Sequence, residues 1–133
     1  MEYLHEDLTE LIIECVYKVH RSLGFGFLER VYQNALYFEL INNGLECDCQ
    51  KPIKVYYDGN IVGDYIADII VNDCIILELK AVEKVGKEHE LQLINYLKAT
   101  NVEIGLLVNF GKQAEIKRKI FTNDRKTNFN NVL

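Results

Sequence analysis

The sequence has no apolar run long enough to cross a bilayer, no internal repeat and no low-complexity tract. A membrane-spanning helix needs about 20 consecutive apolar residues, so we expect no membrane association of that kind. The segment Met1 to Glu10 is acidic and lacks the basic and apolar regions of a signal peptide. We therefore expect a protein that stays where it is made, in the cytoplasm.

The sequence also lacks the cysteine patterns of disulfide or zinc frameworks. Its four cysteines, Cys15, Cys47, Cys49 and Cys74, are scattered, and three of them lie in helix or strand patterns. Cys47 and Cys49 have no second pair of cysteines or histidines with which to complete a zinc site. We interpret them as core thiols in a reducing cytosol.

Positive charge is scarce, because the net charge of the chain is −5. Affinity for phosphate comes chiefly from Lys and Arg, so this balance argues against broad electrostatic capture of DNA. The segment 112–126 is an exception with a net charge of +4, carried by Lys112, Lys117, Arg118, Lys119, Arg125 and Lys126. It is either a strip that faces nucleic acid or a solvated strand edge, and the sequence leaves both interpretations open.

At 133 residues and 49% hydrophobic composition, the chain is long enough to bury one core. We predict a single domain over residues 1–133 of α/β class, a mixed β-sheet flanked by α-helices, with residues 123–133 as a frayed tail. The hydrophobic periodicity predicts helices at 8–23, 27–42 and 87–100, and strands at 49–57, 61–71, 74–81, 104–110 and 116–121. The strand 104–110 is expected to lie parallel to the strand 74–81, because a helix joins them.

Three charged residues interrupt two of these apolar strands. Asp68 lies within the run Tyr65 to Val71, while Glu78 and Lys80 lie within the next strand. Charges in such surroundings are costly unless they are paired or bind a metal. Glu78 and Lys80 are two residues apart and project from one face, so one can hold a divalent cation while the other lies beside an activated water. The alternative is a buried Asp–Lys or Glu–Lys pair without chemistry.

A shared cation sets a condition on how the two strands pair. A two-residue turn between Val71 and Cys74 would place Glu78 opposite Ala67 and turn Asp68 to the other face of the sheet. We therefore predict a three-residue connection, Asn72-Asp73-Cys74, or a bulge that restores the register.

Two further motifs flank this hairpin. The first is Gly26-x-x-Glu29-x-x-Tyr32, at the start of the second predicted helix, and the other is Gln92-x-x-x-Tyr96, in the third. Together with the hairpin charges, they resemble the GxxExxY family, a branch of the PD-(D/E)XK nuclease superfamily that is similar to RecB-type and lambda-exonuclease-type domains. The similarity runs from about residue 8 to residue 111. It implies a restriction-endonuclease-like core.

The resemblance implies a role for each matching residue. Asp68 and Glu78 would hold Mg²⁺ or Mn²⁺, Glu29 would join them as a metal ligand, and Lys80 would position or deprotonate the attacking water. These four are the expected catalytic residues. The expected substrate-binding residues are Gln92 and Tyr96, with Tyr32 of the first motif and His89, which shares the polar stripe of the third helix. That stripe lies opposite the apolar residues Leu91, Ile94 and Leu97, and it is either a functional face or a solvated one.

The sequence departs from the family pattern at three positions. Ala67 stands where the superfamily has proline, Ile66 where relatives often have a basic residue, and Phe25 where a proline often separates the two glycines. The expected activity is hydrolysis of phosphodiester bonds, with DNA favoured and RNA open. The alternative is a non-catalytic module that keeps the fold and binds nucleic acid or protein. A homo-oligomer or a partner protein is also left open.

Overall fold

The computed structural model describes residues 4–126. Within this range the chain forms three α-helices and five β-strands, which confirms the α/β prediction. The helices are α1 (Glu6–Leu23), α2 (Glu29–Asn42) and α3 (Lys87–Ala99), and the strands are β1 (Cys47–Tyr57), β2 (Asn60–Val71), β3 (Ile75–Lys80), β4 (Ile104–Phe110) and β5 (Ala114–Ile120). None of the described helices is both long and apolar enough to cross a membrane.

The strands form one mixed sheet in the order β1-β2-β3-β4-β5. All neighbouring pairs are antiparallel except β3 and β4, which are parallel. Parallel neighbours need a crossover connection, and α3 supplies it between these two strands. The prediction that the strand 104–110 lies parallel to its predecessor is therefore confirmed.

Two hydrophobic cores lie on opposite faces of the sheet. Side chains alternate along a strand, so Leu77 and Leu79 of β3 pack in the core under α1 and α2, while Ile76 packs in the core under α3. Close approach of α3 depends on Gly105 of β4, because a Cβ there would lie 2.6 Å from Cδ1 of Leu93. The parallel pair is thus covered by helices on both sides, as its apolar sequence predicts.

The outer part of the β1–β2 hairpin extends beyond the rest of the sheet. β1 and β2 pair along their whole length, whereas β2 pairs with β3 from Ile69 to Val71. We call residues 54–65 the hairpin arm. Several of its apolar side chains are exposed, namely Tyr57, Ile61, Val62 and Tyr65.

The beginning of the expected frayed tail is folded. Residues Asn123–Arg125 form a 3-10 helix. The Lys126 ammonium donates hydrogen bonds to the carbonyls of Thr100 and Val102, at 2.8 and 2.7 Å, and to Oδ1 of Asn123 at 2.6 Å. The segment was predicted to fray because two of these acceptors, the carbonyls of Thr100 and Val102, are distant in sequence and leave no local signal near Lys126. The remainder of the predicted tail, 127–133, lies outside the described residues.

The basic segment is largely bound to its own protein. Lys117 and Lys119 form ion pairs with Glu90 of α3, at 3.1 and 2.6 Å, and they hold the pKa of Glu90 below its usual range. Arg118 donates a hydrogen bond of 2.6 Å to the carbonyl of Leu4. These contacts favour the strand-edge interpretation over a strip that faces nucleic acid.

Candidate functional site

The connection between β2 and β3 sets the geometry of the site. Val71 pairs with Ile75, so the three residues Asn72, Asp73 and Cys74 form the turn, as predicted. Asn72 and Asp73 have positive φ angles of 50° and 56°, a conformation that Asn and Asp tolerate better than most residues. The same register, continued outward from the pair Ile69 and Leu77, brings Asp68 opposite Glu78.

The two carboxylates interlock across the gap between the strands. Oε1 of Glu78 accepts a hydrogen bond of 3.1 Å from the backbone N–H of Asp68. Oδ2 of Asp68 accepts one of 2.8 Å from the backbone N–H of Leu79. Each side chain therefore takes a backbone donor of the opposite strand, and both carboxylates are fixed at the point where β2 leaves β3.

Burial and mutual repulsion make this pair unfavourable in its charged form. Glu78 is 5% exposed, and burial followed by the charge of Asp68 raises its pKa to about 8. Burial also raises the pKa of Asp68, against the effect of the Leu79 N–H and the Lys80 charge. Two carboxylates with raised pKa values in one place are characteristic of functional sites.

Lys80 lies near both carboxylates without forming an ion pair to either in the described part of the chain. Its positive charge lowers the pKa of Asp68 and of Glu78, so the three groups share one electrostatic environment. The alternative of a closed Asp–Lys or Glu–Lys pair is therefore not realised. The ammonium keeps its hydrogens for another acceptor.

The oxygen atoms of Asp68 and Glu78 suit a hard divalent cation such as Mg²⁺ or Mn²⁺. A bound cation would favour the charged form of both carboxylates and so oppose the causes that raise their pKa values. Across residues 4–126, however, no group of three or more His, Cys, Asp or Glu side chains is close enough to hold a metal. The donor set that fits is thus a pair of carboxylates.

Glu29 is outside that pair. It lies in the first turn of α2 and is exposed to solvent. Its charge contributes to raising the pKa of Glu78, as the last of the causes. The structure therefore brings Glu29 within electrostatic range of the pair but does not assemble the expected three-carboxylate site.

Gln92 and Tyr96 of α3 approach the site as a hydrogen-bonded pair. Nε2 of Gln92 donates to Oη of Tyr96 at 2.8 Å. Burial raises the pKa of Tyr96 above its ordinary value, and the charges of Glu78 and Asp68 raise it further. The tyrosine hydroxyl therefore lies near the carboxylates and keeps its own hydrogen for donation.

The expected apolar face of α3 is partly wrong. Leu91 was expected to lie opposite the polar stripe, in the core, yet it is 52% exposed. Tyr96 is itself buried and packs in the core with Leu93 and Leu97. The inward face of α3 is therefore made by Leu93, Tyr96 and Leu97, rather than by the predicted Leu91, Ile94 and Leu97.

Two residues that were expected to bind substrate, His89 and Tyr32, make structural contacts. Nδ1 of His89 accepts a hydrogen bond of 3.2 Å from the backbone N–H of Gly86, which caps the start of α3. Tyr32 has no exposed surface. Its hydroxyl donates to the carbonyl of Gly24 at 2.7 Å, and its ring stacks on Phe110 with centroids 4.5 Å apart. The ring is therefore enclosed by the core, and these contacts account for Tyr32 without a substrate contact.

Sequence reasoning missed Gln50, Gln33 and Arg30. Nε2 of Gln50 donates to Oε1 of Gln33 at 2.8 Å and to Oδ1 of Asp68 at 3.5 Å, so it links α2 to the site. Gln50 has a positive φ of 55°. Glycine or asparagine would have indicated this conformation in the sequence, but glutamine does not. The Arg30 charge lowers the pKa of Asp68. Arg30 could have been found from the sequence, because it directly follows Glu29 within the first motif.

Similarity to known proteins is found at the level of the fold and of the superfamily. No protein with a curated description matches the sequence. The solved structure of SSO0001 is 21% identical, with a TM-score of 0.50, and the match covers 91% of this chain and 61% of that chain. The present chain thus spans about three fifths of SSO0001, and the likeness concerns the fold. The family model of the PD-(D/E)XK nuclease superfamily matches residues 6–119. The chain belongs to the PD-(D/E)XK nuclease superfamily.

Proposed function

We propose that this protein is a Mg²⁺- or Mn²⁺-dependent nuclease of the GxxExxY family, in the RecB-like branch, and that it hydrolyses phosphodiester bonds, foremost in DNA. The observation that carries the proposal is the facing pair of Asp68 and Glu78 with Lys80 beside it and paired to neither. A superfamily member that used these residues for stability alone would be expected to close the ion pair. The cytoplasmic location remains part of the proposal.

Each residue of the site has a role that follows from its position. Asp68 and Glu78 would hold the cation, which when bound lowers the pKa of water and offsets charge on the phosphate. The Lys80 ammonium orients the attacking water and stabilises the negative charge that builds on the phosphate oxygens. The Tyr96 hydroxyl, held by Gln92, would donate a hydrogen bond to the phosphate. His89 can reach substrate through Nε2 alone.

Glu29 fits this mechanism as an outer residue. Since it is exposed and contributes to the pKa of Glu78, it can act through a water in the shell of the cation. Its replacement by Gln is therefore expected to reduce activity less than replacement of Asp68 by Asn.

The decisive test is cleavage of labelled single- and double-stranded DNA and RNA by purified protein, with Mn²⁺, Mg²⁺ or EDTA. We expect cleavage with either metal and none with EDTA. Lys80→Ala should lose activity by about 100-fold or more, because removing one preorganised stabilising group costs about that much. Lys84→Ala, at an exposed lysine of the segment that follows β3, is the matched control. A wild type that cleaves nothing, or an unimpaired Lys80→Ala, would refute hydrolysis.

One observation favours a second function, a binding module without chemistry. Glu29 is exposed, and the described residues hold no preformed group of three metal-binding side chains. Such a module would bind nucleic acid equally well with EDTA and with Mn²⁺. It would also be indifferent to Asp68→Asn in every assay except stability, which separates it from the nuclease.

A further inference from the structure

The loop between α1 and α2 is held in one conformation by its glycines and by a buried tyrosine. Gly24 and Gly26 have φ angles of 71° and 114°, which side chains other than glycine rarely adopt. The Tyr32 hydroxyl donates to the carbonyl of Gly24 and accepts from the backbone N–H of Phe27, at 2.7 and 3.4 Å. The loop is therefore pinned at both ends by a residue of the core.

This pinned loop presents large apolar side chains to solvent. Phe25 is 60% exposed, Phe27 48% and Leu28 81%. Exposed apolar side chains that are clustered and rigidly held usually mark a binding surface. Phe25 also departs from the proline that is often found here, so the aromatic face is a feature of this chain.

The loop forms one wall of a cavity of about 460 Å³. The opposite wall consists of the segments that follow β3 and β4, including Val82 and Gly111. The buried Asn109 fixes that wall, since its side-chain amide both donates to and accepts from the backbone of Val82, at 2.9 and 3.0 Å. A cavity of this volume is in the range of small-molecule sites.

The cavity adjoins the end of β3, the strand that carries Glu78 and Lys80. Its lining residue Ala81 follows Lys80 directly, and its lining residue Leu28 precedes Glu29. Ala81 is three residues from Glu78, a separation of about 10 Å along an extended strand. A nucleic-acid strand that places one phosphate at Glu78 can therefore extend an adjacent base towards the cavity.

The lining provides polar groups that match a nucleotide. Lys112 is available for a backbone phosphate, while the Glu83 carboxylate can accept hydrogen bonds from the amino group of a base. Phe25 and Phe27 supply apolar ring faces, and stacking of a base on an aromatic side chain is a common basis of single-strand binding.

We propose that this cavity, which we call the aromatic cavity, binds one unpaired nucleobase next to the scissile phosphate, so that single-stranded nucleic acid or a frayed end is the substrate class. The proposal rests on the proposed function, because it takes the phosphodiester to lie at Asp68 and Glu78. A base stacked inside a duplex hides both ring faces from protein side chains, so it must leave the helix before it can enter.

Binding in EDTA tests this without requiring cleavage. The probes are a fluorescein-labelled single-stranded oligonucleotide, its blunt duplex, and the same strand carrying 2-aminopurine, whose fluorescence reports stacking. We expect the full-length protein to bind the single strand more tightly and to change the 2-aminopurine signal. Phe25→Ala should weaken single-strand binding by about 5- to 150-fold, the range measured for loss of one stacked base.

Two further variants distinguish stacking from a general loss of apolar surface. Phe25→Trp should bind like wild type, whereas Phe25→Leu should bind like Phe25→Ala. Phe38→Ala is the matched control, because Phe38 is 64% exposed on α2 and does not line the aromatic cavity. It should leave both affinity and 2-aminopurine signal unchanged.

Three results would overturn the inference. They are unchanged single-strand binding in Phe25→Ala, equal losses in Phe25→Ala and Phe38→Ala, and a Phe25→Ala effect that proves to be dissociation of a dimer in light scattering. The proposed function fails separately. If binding depends on Phe25 but the protein cleaves nothing in Mn²⁺, the base-binding cavity is supported and the nuclease is refuted. If the protein cleaves and Phe25→Ala cleaves as fast as wild type, the nuclease is supported and the base-binding cavity is refuted.

Discussion

Asp68 and Glu78 are held in a position that costs the fold free energy when both are charged. A ligand that binds the folded state alone adds stability of RT ln(1 + [L]/Kd), about 2.7 kcal/mol at 100 times Kd. We therefore predict that Mn²⁺ or Mg²⁺ raises the melting temperature by on the order of 10 °C at such concentrations. Differential scanning fluorimetry with each metal and with EDTA measures the shift.

The variant Asp68→Asn should erase this shift, since it removes one of two cation ligands. Asp64→Asn, at an exposed aspartate of the hairpin arm, should keep it. An equal metal-dependent rise in Asp68→Asn and wild type would show that the cation binds elsewhere.

The pH dependence of stability follows from the pKa of Glu78. In metal-free protein the folded pKa is raised from 4.5 to about 8, so between these values the folded state holds a proton that the unfolded chain has released. The free energy of unfolding must then fall as pH rises through this window. Each pKa unit corresponds to about 1.4 kcal/mol, which puts the total on the order of a few kcal/mol.

Urea denaturation in EDTA at pH 5 and pH 8 measures this effect. Glu78→Gln should flatten the dependence, because the amide does not titrate, while the exposed Glu10→Gln should not. Asp68 has its pKa raised as well and contributes in the same direction. Stability that increases from pH 5 to pH 8 in wild type would contradict the burial of both carboxyls.

At the scale of elements, the position of α3 depends on a single missing methyl group. A Cβ at Gly105 would lie 2.6 Å from Cδ1 and 2.9 Å from Cγ of Leu93, so Gly105→Ala forces the helix or its leucine to move. We predict a loss of about 1–3 kcal/mol, typical of overpacked cores, together with reduced cleavage, because α3 carries Gln92 and Tyr96. Urea denaturation and cleavage assays on one preparation report both.

The double variant Gly105→Ala with Leu93→Val is the control for this explanation. Shortening the leucine removes the clash, so the double variant should be more stable than Gly105→Ala alone. Simple additivity of the two losses would mean that Leu93 is not what the new methyl group meets.

At the scale of the whole molecule, the acidic balance and the bound lysines predict weak salt dependence of nucleic-acid binding. The slope of log K against log salt is about −0.7 per phosphate contacted by a single strand. Lys112→Gln should therefore make the slope less steep by about 0.7. A triple variant should leave the slope unchanged, since two of its lysines are paired with Glu90 in the wild type. This variant combines Lys117→Gln, Lys119→Gln and Glu90→Gln.

Fluorescence anisotropy across a series of KCl concentrations in EDTA gives these slopes. A triple variant whose slope becomes less steep by about one or more would restore the interpretation of the basic segment as a strip that faces nucleic acid.

Much of the fold was predictable because it depends on local periodicity. The apolar strands, the amphipathic α1 and the parallel pair β3 and β4 all follow from hydrophobic spacing. The register between Asp68 and Glu78 was predictable for another reason, since shared chemistry at those two residues excludes the other pairing.

What the sequence did not reveal depends on contacts between distant residues. Tyr32 is enclosed because it stacks on Phe110, and residue 126 is fixed by carbonyls at 100 and 102. The link from Gln50 to Asp68 requires a left-handed backbone in mid-strand. None of these contacts can be predicted from the spacing of apolar residues.

The hairpin arm has a consequence for the dynamics of the site. A two-stranded ribbon without a third strand is marginally stable alone, so residues 54–65 should open locally and exchange their amide hydrogens earlier than β3 and β4. The first residues of β2 that β3 holds are Ile69 to Val71. Asp68 therefore lies at the border between a fast-exchanging ribbon and a slow-exchanging core, so that one side of the site can open locally while the other stays fixed.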